Sequence, residues 1–595
     1  MEDSGNTSST RPEEPSVLDY LRGRLRGRIP AERWQPPEKG ERKESTGPGG
    51  ARVARVFVTV GLVLAGQSFL EPGARNVPLA LLFYALGLAF LVWSIFRREV
   101  TPAGEAGGYG GAAITVRRDP LIGSLILVAA SFVAFGGGRF TPFNVALWAV
   151  AIGATLWAVW ESAPDAKPWT VRAREKLRGP WTLRFSWWSL LVFVVILLVI
   201  FFRVYRLGQV PGEMVSDHAE KLLDVSDVLA GKTSIFFPRN TGREAIQFYL
   251  TAAIATVLGT GVSFISLKIG TVLAGLLTLP YIYLLGKELG NRWVGLLAVL
   301  LAGIAYWPNV ISRFGLRFPF YPLFAAPALY YLVRGLRYGK RNDFVLSGAA
   351  LGLGLQGYTP MRIVPFVVVL GVALYMLHPQ ARGKRYASLI NLLILAYVAL
   401  VFFLPLGRYA LDNPGQFAFR AFSRLVPIEQ ALPAPPLQVF FSNLGKAWIM
   451  PFFDDGQIWV HSVPGRPALD VVSAVLYLIG SVLVLVRYLR RRDWADLFLL
   501  LLVPLLMLPS ILSLAFPNEN PSLNRTGAAI IPVFVLAGIG LESVVRTLAQ
   551  GMGPRWGRAV AGVVALGLVT AAALQNYDLV FRQYNQEFLA GTWNS

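Results

Sequence analysis

The chain has 595 residues, 54% of them hydrophobic and only 15% charged, and its mean hydropathy is +0.50. A soluble protein of this length would carry many more charges, and a membrane barrel would show short alternating segments instead of apolar runs of about 17–22 residues, each able to cross a hydrocarbon core of roughly 30 Å. The net charge of +21 does not argue for a nucleic-acid partner, because most Lys and Arg fall in short loops between those runs, and the absence of cysteine excludes disulfides and thiolate metal sites.

Residues 1–50 are rich in Pro, Gly, Ser, Glu and Arg, have no apolar run, and read as a disordered cytoplasmic tail. The predicted spans follow at 51–69, 77–96, 120–137, 142–160, 185–203, 264–286, 292–310, 318–335, 343–357, 361–377, 386–406, 469–487, 494–515, 526–546 and 557–576. With the N-terminus inside, every inner loop is basic: Arg97, Arg98, Arg117 and Arg118 in the first, Arg172, Arg174 and Lys176 in the next, and so on to Arg546, Arg555 and Arg558. The run "AIQFYLTAAIATVL" (245–258) is too short to span, and counting it as a span would turn the later basic loops outward. It reads as an interfacial helix on the outer face. That face then carries large loops at 204–263 and 407–468 and the tail 577–595.

The first outer loop contains "PGEMVSDHAEKLLDV" (211–225). Asp217, Glu220, Lys221 and Asp224 recur at i, i+3, i+4 and i+7, one face of a helix, with His218, Leu222, Val225 and Leu229 on the other. The polar face is expected to turn toward an external cavity. A second cluster, "FFPRNTGREAIQFYL" (236–250), holds Arg239, Arg243 and Glu244. More polar groups stand at outer span ends: Lys268, Arg313 and Arg317 in "SRFGLRF", Tyr358 and Arg362 in "GYTPMR", His461 in "DDGQIWVHSVPGRPALD" and Arg525 in "NENPSLNRTG". One such arginine alone reads as a side chain snorkelling to the interface. Several beside carboxylates, where topology disfavours them, read as a site for a phosphate anion at lipid-headgroup height.

The acidic motif in the first outer loop, the Glu before the aromatic helix in "REAIQFYL", and "YLLGKELGNRWVGLLAVLLAG" (283–303) resemble family 39 glycosyltransferases of the GT-C fold. These include the protein O-mannosyltransferases and the lipid A aminoarabinose transferases. The resemblance covers roughly 180–580. It implies an all-α polytopic membrane protein, a GT-C-like helical bundle of about fifteen transmembrane helices with amphipathic helices in the first large outer loop. Residues 51–162 would be an accessory four-helix region, 180–580 the catalytic region and 581–595 an extracytoplasmic tail.

The function implied is transfer of a sugar from a polyprenyl-phosphate donor to a hydroxyl acceptor, whether protein, lipid or glycan, with inversion, on the outer face of the plasma membrane. By analogy Asp217 takes the first catalytic acidic position. The family usually reads Asp-Glu there and this chain reads Asp217-His218. Arg243-Glu244 match the family's Glu motif, and Arg317 stands where a later span often carries a second Asp. Asp217 would take the proton of the attacking hydroxyl while arginines stabilise the charge on the departing phosphate. His218, Glu220, Lys221, Arg243, Glu244, Lys268, Arg313, Arg317, Tyr358, Arg362, His461 and Arg525 are expected to bind the substrates. No cofactor is expected. Asp217, His218 and His461 could meet around a metal, but three histidines scattered over the chain favour incidental roles. The expected partners are the donor, the acceptor and the bilayer, with no nucleic acid. The rival reading, a transporter or flippase, would place ionisable groups mid-membrane in repeated halves, whereas here they crowd the outer rim and no repeat is found.

Overall fold

A computed structural model describes residues 49–97, 117–162, 169–178, 186–552 and 556–593, so the expected tail at 1–50 lies almost wholly outside the described residues. Each predicted span is helical. Eleven helices among the described residues are long and apolar enough to cross a bilayer. They become twelve when α10 (Arg292–Ile304) and α11 (Tyr306–Arg313), bent by 57° at their junction, count as one broken span. The remaining three expected spans are α3 (Arg118–Ala134), α12 (Phe320–Tyr338) and α13 (Arg341–Gly354). α3 has 17 residues, α12 carries four tyrosines and two arginines, and α13 has only 14 residues, about 21 Å of helix. The segment expected to lie in the interface is α8 (Ile246–Val257), whose 12 residues extend about 18 Å, short of the hydrocarbon core.

The bundle is built around α20 (Ile530–Gly551), whose apolar stretch is 94% buried. α18 (Val471–Arg491), α10 and α21 (Trp556–Asp578) pack around it. The contact with α18 is made backbone to backbone. A Cβ on Gly480 would lie 1.9 Å from the Leu536 carbonyl oxygen, and one on Gly540 2.2 Å from that of Leu476. Small residues at a helix crossing permit this approach, which suits a lipid environment where van der Waals packing drives association. On the other side, α9 (Phe264–Leu289) packs on α10 and α12, α12 on α13, and α13 on α15 (Arg385–Asp412).

The four spans of 51–162, expected as one accessory region, dock on different helices as two hairpins. α1 (Gly49–Ser68) and α2 (Val77–Phe96) form the first, in which Val53, Val56, Val60 and Val63 of α1 pack on Val475, Ile479 and Leu483 of α18 and Val544 and Leu548 of α20. α3 and α4 (Pro142–Val159) form the second, which packs on α15. Each hairpin turn holds one of the two long loops, 407–468 or 204–263. Arg75 donates to the carbonyls of Phe453 (3.1 Å) and Gly465 (2.6 Å), and Arg466 pairs with Glu71 at 3.3 Å. The second turn forms an antiparallel bridge between Arg139 and Ser234, with Phe140 N–H donating to Thr233 O at 2.7 Å. The expected tail is helical as well over its described residues, which end at Trp593. α22 (Tyr584–Trp593) continues on from α21, and its Phe588 ring packs on Trp459 of the second outer loop, centroids 5.6 Å apart.

Candidate functional site

The acidic motif of the first outer loop forms α7 (Ser216–Leu229). Its buried stripe is His218, Lys221, Asp224 and Val225. The expected division of faces therefore fails at Lys221 and Asp224, which turn inward with the histidine. Two hydrogen bonds fix His218. Its Nδ1 accepts from Val215 N–H (3.0 Å), which requires Nε2 to carry the proton, and Nε2 donates to Phe314 O (2.8 Å). Burial pushes its pKa down to about 4, so it is a neutral pin between α7 and the turn after α11. Asp224 is held by Arg239 at 2.6 Å.

A turn brings the second motif beneath α7. Asn240, Thr241 and Gly242 have φ of 47°, 62° and 88°. For a β-branched threonine that conformation is uncommon and costs about 1–3 kcal/mol, of the kind stored at functional sites. The turn joins β1 (Phe236–Phe237) to the antiparallel β2 (Arg243–Glu244). It sets Asn240 Nδ2 on Asp217 Oδ1 (3.1 Å) and Glu220 Oε2 (2.7 Å). Arg243 Nη2 reaches the same two oxygens at 2.8 and 2.9 Å, and Lys221 Nζ lies 3.3 Å from Asp217 Oδ1. Burial opposes ionisation of Asp217, but Lys221 and Arg243 outweigh it and hold the carboxyl below its usual range. For Lys221, burial and then Arg243 bring the ammonium down to about 7. The buried Arg243 keeps Nε and Nη1 without a partner.

Glu244 points the other way, into the protein. Its carboxylate accepts from Arg317 Nη1 (2.6 Å), Arg362 Nη2 (3.2 Å) and Thr359 Oγ1 (2.9 Å). Burial disfavours its charge, and the two guanidiniums more than compensate, so it too lies below the usual carboxylate range.

The long loop at 407–468 closes the site. α16 (Pro414–Leu425) carries Arg420, which donates to Asn240 O (3.2 Å) and Thr241 Oγ1 (3.0 Å), and Arg424, which pairs with Glu519 at 3.1 Å. Arg525 pairs with the same Glu519 and donates to Ser513 Oγ at 2.7 Å. Between these elements is a cavity of about 440 Å³. Of the expected site residues, Asp217, Lys221, Arg243, Arg317, Tyr358, Arg362, His461 and Arg525 line it.

The other five do not line it, for reasons visible in their bonds. His218 is the pin described above, Glu220 stands at the rim on Arg243, and Glu244 braces arginines from behind. Arg313 and Lys268 are buried caps for backbone carbonyls. Arg313 takes those of Phe202 (3.1 Å), Arg203 (3.0 Å) and Tyr205 (2.8 Å) at the end of α6 (Trp187–Val204), and Lys268 takes those of Leu207 (2.8 Å) and Pro211. A cation at a helix C-terminus complements the carbonyl dipoles there. Sequence reasoning missed Arg420, Arg424, Glu519 and Thr359. The spacing of Arg420 and Arg424, one helical turn apart in "PGQFAFRAFSRL", was the available signal.

The cavity is thus lined by seven cations, Lys221, Arg243, Arg317, Arg362, Arg420, Arg424 and Arg525, against the carboxylates of Asp217 and Glu519. That excess of positive charge favours an anion over a neutral or cationic ligand.

Comparison with known proteins bears on one part of this arrangement directly. Residues 245–409 match the family model described as dolichyl-phosphate-mannose-protein mannosyltransferase. That segment contains Lys268, Arg313, Arg317, Tyr358 and Arg362, while the Asp217–Glu244 cluster and the second outer loop lie outside it. No curated protein matches the chain. Among solved structures, the Archaeoglobus fulgidus oligosaccharyltransferase, tethered with an acceptor peptide containing the NVT sequon, is similar over 67% of this chain with 14% identity and a TM-score of 0.42. This chain spans 55% of that one, little more than half its length. ArnT from Cupriavidus metallidurans, bound to undecaprenyl phosphate, is similar over 68% of this chain and 76% of its own, with 14% identity and a TM-score of 0.39. The match agrees with the resemblance read above over the residues they share, 245–303, and extends it: from α8 into α15, this polytopic helical chain is similar to the family described as dolichyl-phosphate-mannose-protein mannosyltransferase.

Proposed function

We propose that the protein transfers a sugar from a polyprenyl-phosphate donor to an acceptor hydroxyl, with inversion, on the extracytoplasmic face of the cell membrane. One observation carries this reading. Asp217 stands at the edge of a cation-lined cavity, held there by the very groups that an incoming phosphate would recruit, Arg243 and Lys221.

The donor phosphate binds the unpartnered Nε and Nη1 of Arg243 together with Lys221. Arg317 and Arg362 stand nearby on their Glu244 brace. As phosphate takes over part of these cations' field, the Asp217 carboxylate is released to accept a proton. The acceptor oxygen attacks the anomeric carbon on the side opposite the phosphate, its proton passes to Asp217, and the carbon–oxygen bond to phosphate breaks. Polyprenyl phosphate leaves with the bonding pair, and its growing charge falls to the arginines, preorganised before the reaction begins. A carboxylate of lowered pKa is a weak base for a free alcohol. The hydroxyl becomes far more acidic as its oxygen bonds to carbon, so the proton moves late and a weak base suffices. Glu244 is a poorer choice because it does not line the cavity and braces Arg317 and Arg362 from behind, and Glu519 because it stands on Arg424 and Arg525, away from the cations that hold the donor phosphate.

Incubating the purified full chain with a panel of radiolabelled polyprenyl-phosphate sugars tests this. The expected result is loss of label from one lipid, stoichiometric release of polyprenyl phosphate, and a product of inverted anomeric configuration. Retention of label by every donor, with no binding of polyprenyl phosphate, would exclude the reading.

A further inference from the structure

The charge at the site exceeds what one donor can neutralise. Six of the seven cavity-lining cations pair with four carboxylates, Asp217 and Glu220 at one end, Glu244 behind and Glu519 at the other end, and Arg420 pairs with none. Three positive charges are left. The exposed Glu429 near Arg424 is solvated and makes none of the site's ion pairs. A sugar phosphodiester brings a single negative charge. With the donor seated, two cations lining the cavity would still lack a partner, and a second anion would relieve their mutual repulsion.

The excess is not evenly spread. Arg243 and Lys221 share two carboxylates, and Arg317 and Arg362 share the fully buried Glu244. Arg424 and Arg525 also share one carboxylate, but Glu519 is about a third exposed, and both arginines face the cavity part-exposed. Arg420 has only a carbonyl and a hydroxyl as partners. His461 lies between the two ends, within electrostatic reach of Arg525 and Glu519 on one side and Asp217 on the other. It is buried, it lines the cavity, and its Nδ1 has no partner.

We propose that the cavity holds two anions at once, and that Arg424 and Arg525, with Arg420 beside them, form the second position, which receives an acceptor hydroxyl compound that itself bears a phosphate. Planar guanidiniums on separate segments, α16 and the loop before α20, present paired donors to tetrahedral oxygens, the geometry in which Arg outperforms Lys. The free His461 Nδ1 then offers a hydrogen bond to a hydroxyl held between the two anions. This inference rests on the donor reading above for what fills the first position. A neutral hydroxyl peptide would leave the second position without its counter-charge.

The test uses the full chain in nanodiscs and needs no knowledge of the acceptor. Saturate the protein with undecaprenyl phosphate, then follow the unfolding temperature while titrating inorganic phosphate or dihexanoyl phosphatidic acid against sodium chloride of equal ionic strength. The expected result is a further saturable rise. Arg424→Gln/Arg525→Gln should shift the midpoint of that rise tenfold or more, while Arg424→Lys/Arg525→Lys shifts it less. Undecaprenyl phosphate affinity should stay within twofold in both variants, which also shows that they fold. A stronger response to the phosphatidic acid assigns the position to a lipid headgroup, and an equal response to a soluble phosphate. Competition between phosphate and undecaprenyl phosphate, or an unaltered rise in the glutamine variant, overturns the second position. Phosphate binding through Arg424 and Arg525 in a protein that does not bind undecaprenyl phosphate supports it and removes the donor reading instead.

Discussion

At the scale of single residues, the two acidic groups singled out in the first outer loop have separate tasks, and substitution distinguishes them. Asp217→Asn keeps the shape and the hydrogen bonds to Asn240 but cannot accept a proton, so turnover should fall by about 10²–10⁴ with donor binding preserved. Glu244→Gln removes the countercharge of two buried guanidiniums, so it should lower stability by about 3–5 kcal/mol, read as a drop in unfolding temperature, as well as activity. Equal stability loss in both variants would refute the division. Lys221 gives a pH signature. Its pKa of about 7 in the empty site means it is already charged below that pH, whereas above it donor binding must take up a proton. Donor KM should rise with pH above about 7, by up to tenfold per unit, and Lys221→Met should flatten the profile. The arginines at outer span ends were legible in the sequence because the topology rule marks them as anomalous. The partners that divide them into ligands and braces were not legible. Arg313 and Lys268 bind backbone carbonyls, which every residue has, so nothing in the sequence separates them from Arg317 and Arg362.

At the scale of elements, α7 was legible as a helix, but its orientation was not. The 3.6-residue pattern placed Lys221 with the acids, yet the helix buries the lysine, whose ammonium reaches back to the backbone carbonyl and the part-exposed carboxylate of Asp217, its i−4 neighbour. The pin that fixes this orientation is testable. Neutral His218 holds the start of α7 to Phe314, and its folded pKa of about 4 lies below the ordinary value of about 6.5. Between those two values the unfolded chain binds more protons than the folded one. The stability that the neutral ring contributes is therefore complete above about 6.5 and is lost progressively as pH falls toward about 4. The unfolding temperature should fall over that window, and His218→Gln should remove this part of the dependence at the cost of lower stability at neutral pH. A pH profile shared by wild type and variant would show that another group titrates. The two hairpins illustrate the other limit of sequence reading. Their helices are plain in hydropathy, but their docking on α18, α20 and α15 depends on contacts hundreds of residues away.

At the scale of the whole molecule, the basic inner loops predict sidedness. Cysteines at the exposed positions Glu213 and Gln430 should react with an impermeant maleimide in intact cells, and cysteines at Arg382 and Arg492 should react only after permeabilisation. Labelling of Arg382→Cys in intact cells would invert the threading and put the cation-lined cavity on the inner face. Most of the helical architecture was legible because apolar length is a local property. The number of true crossings was less so, because α12 and α13 owe their place to enclosure by neighbours rather than to their own hydropathy. The burial of α20 also sets an order of assembly. The valine face of α1 is made first, but its partners at Val544 and Leu548 emerge almost five hundred residues later. At about 5–20 residues per second of synthesis, the first hairpin waits roughly half a minute to a minute and a half in the bilayer with that face uncovered. During that interval it is open to capture by membrane chaperones or to wrong pairing with another chain, until the partner residues of α18 and α20 arrive to cover it.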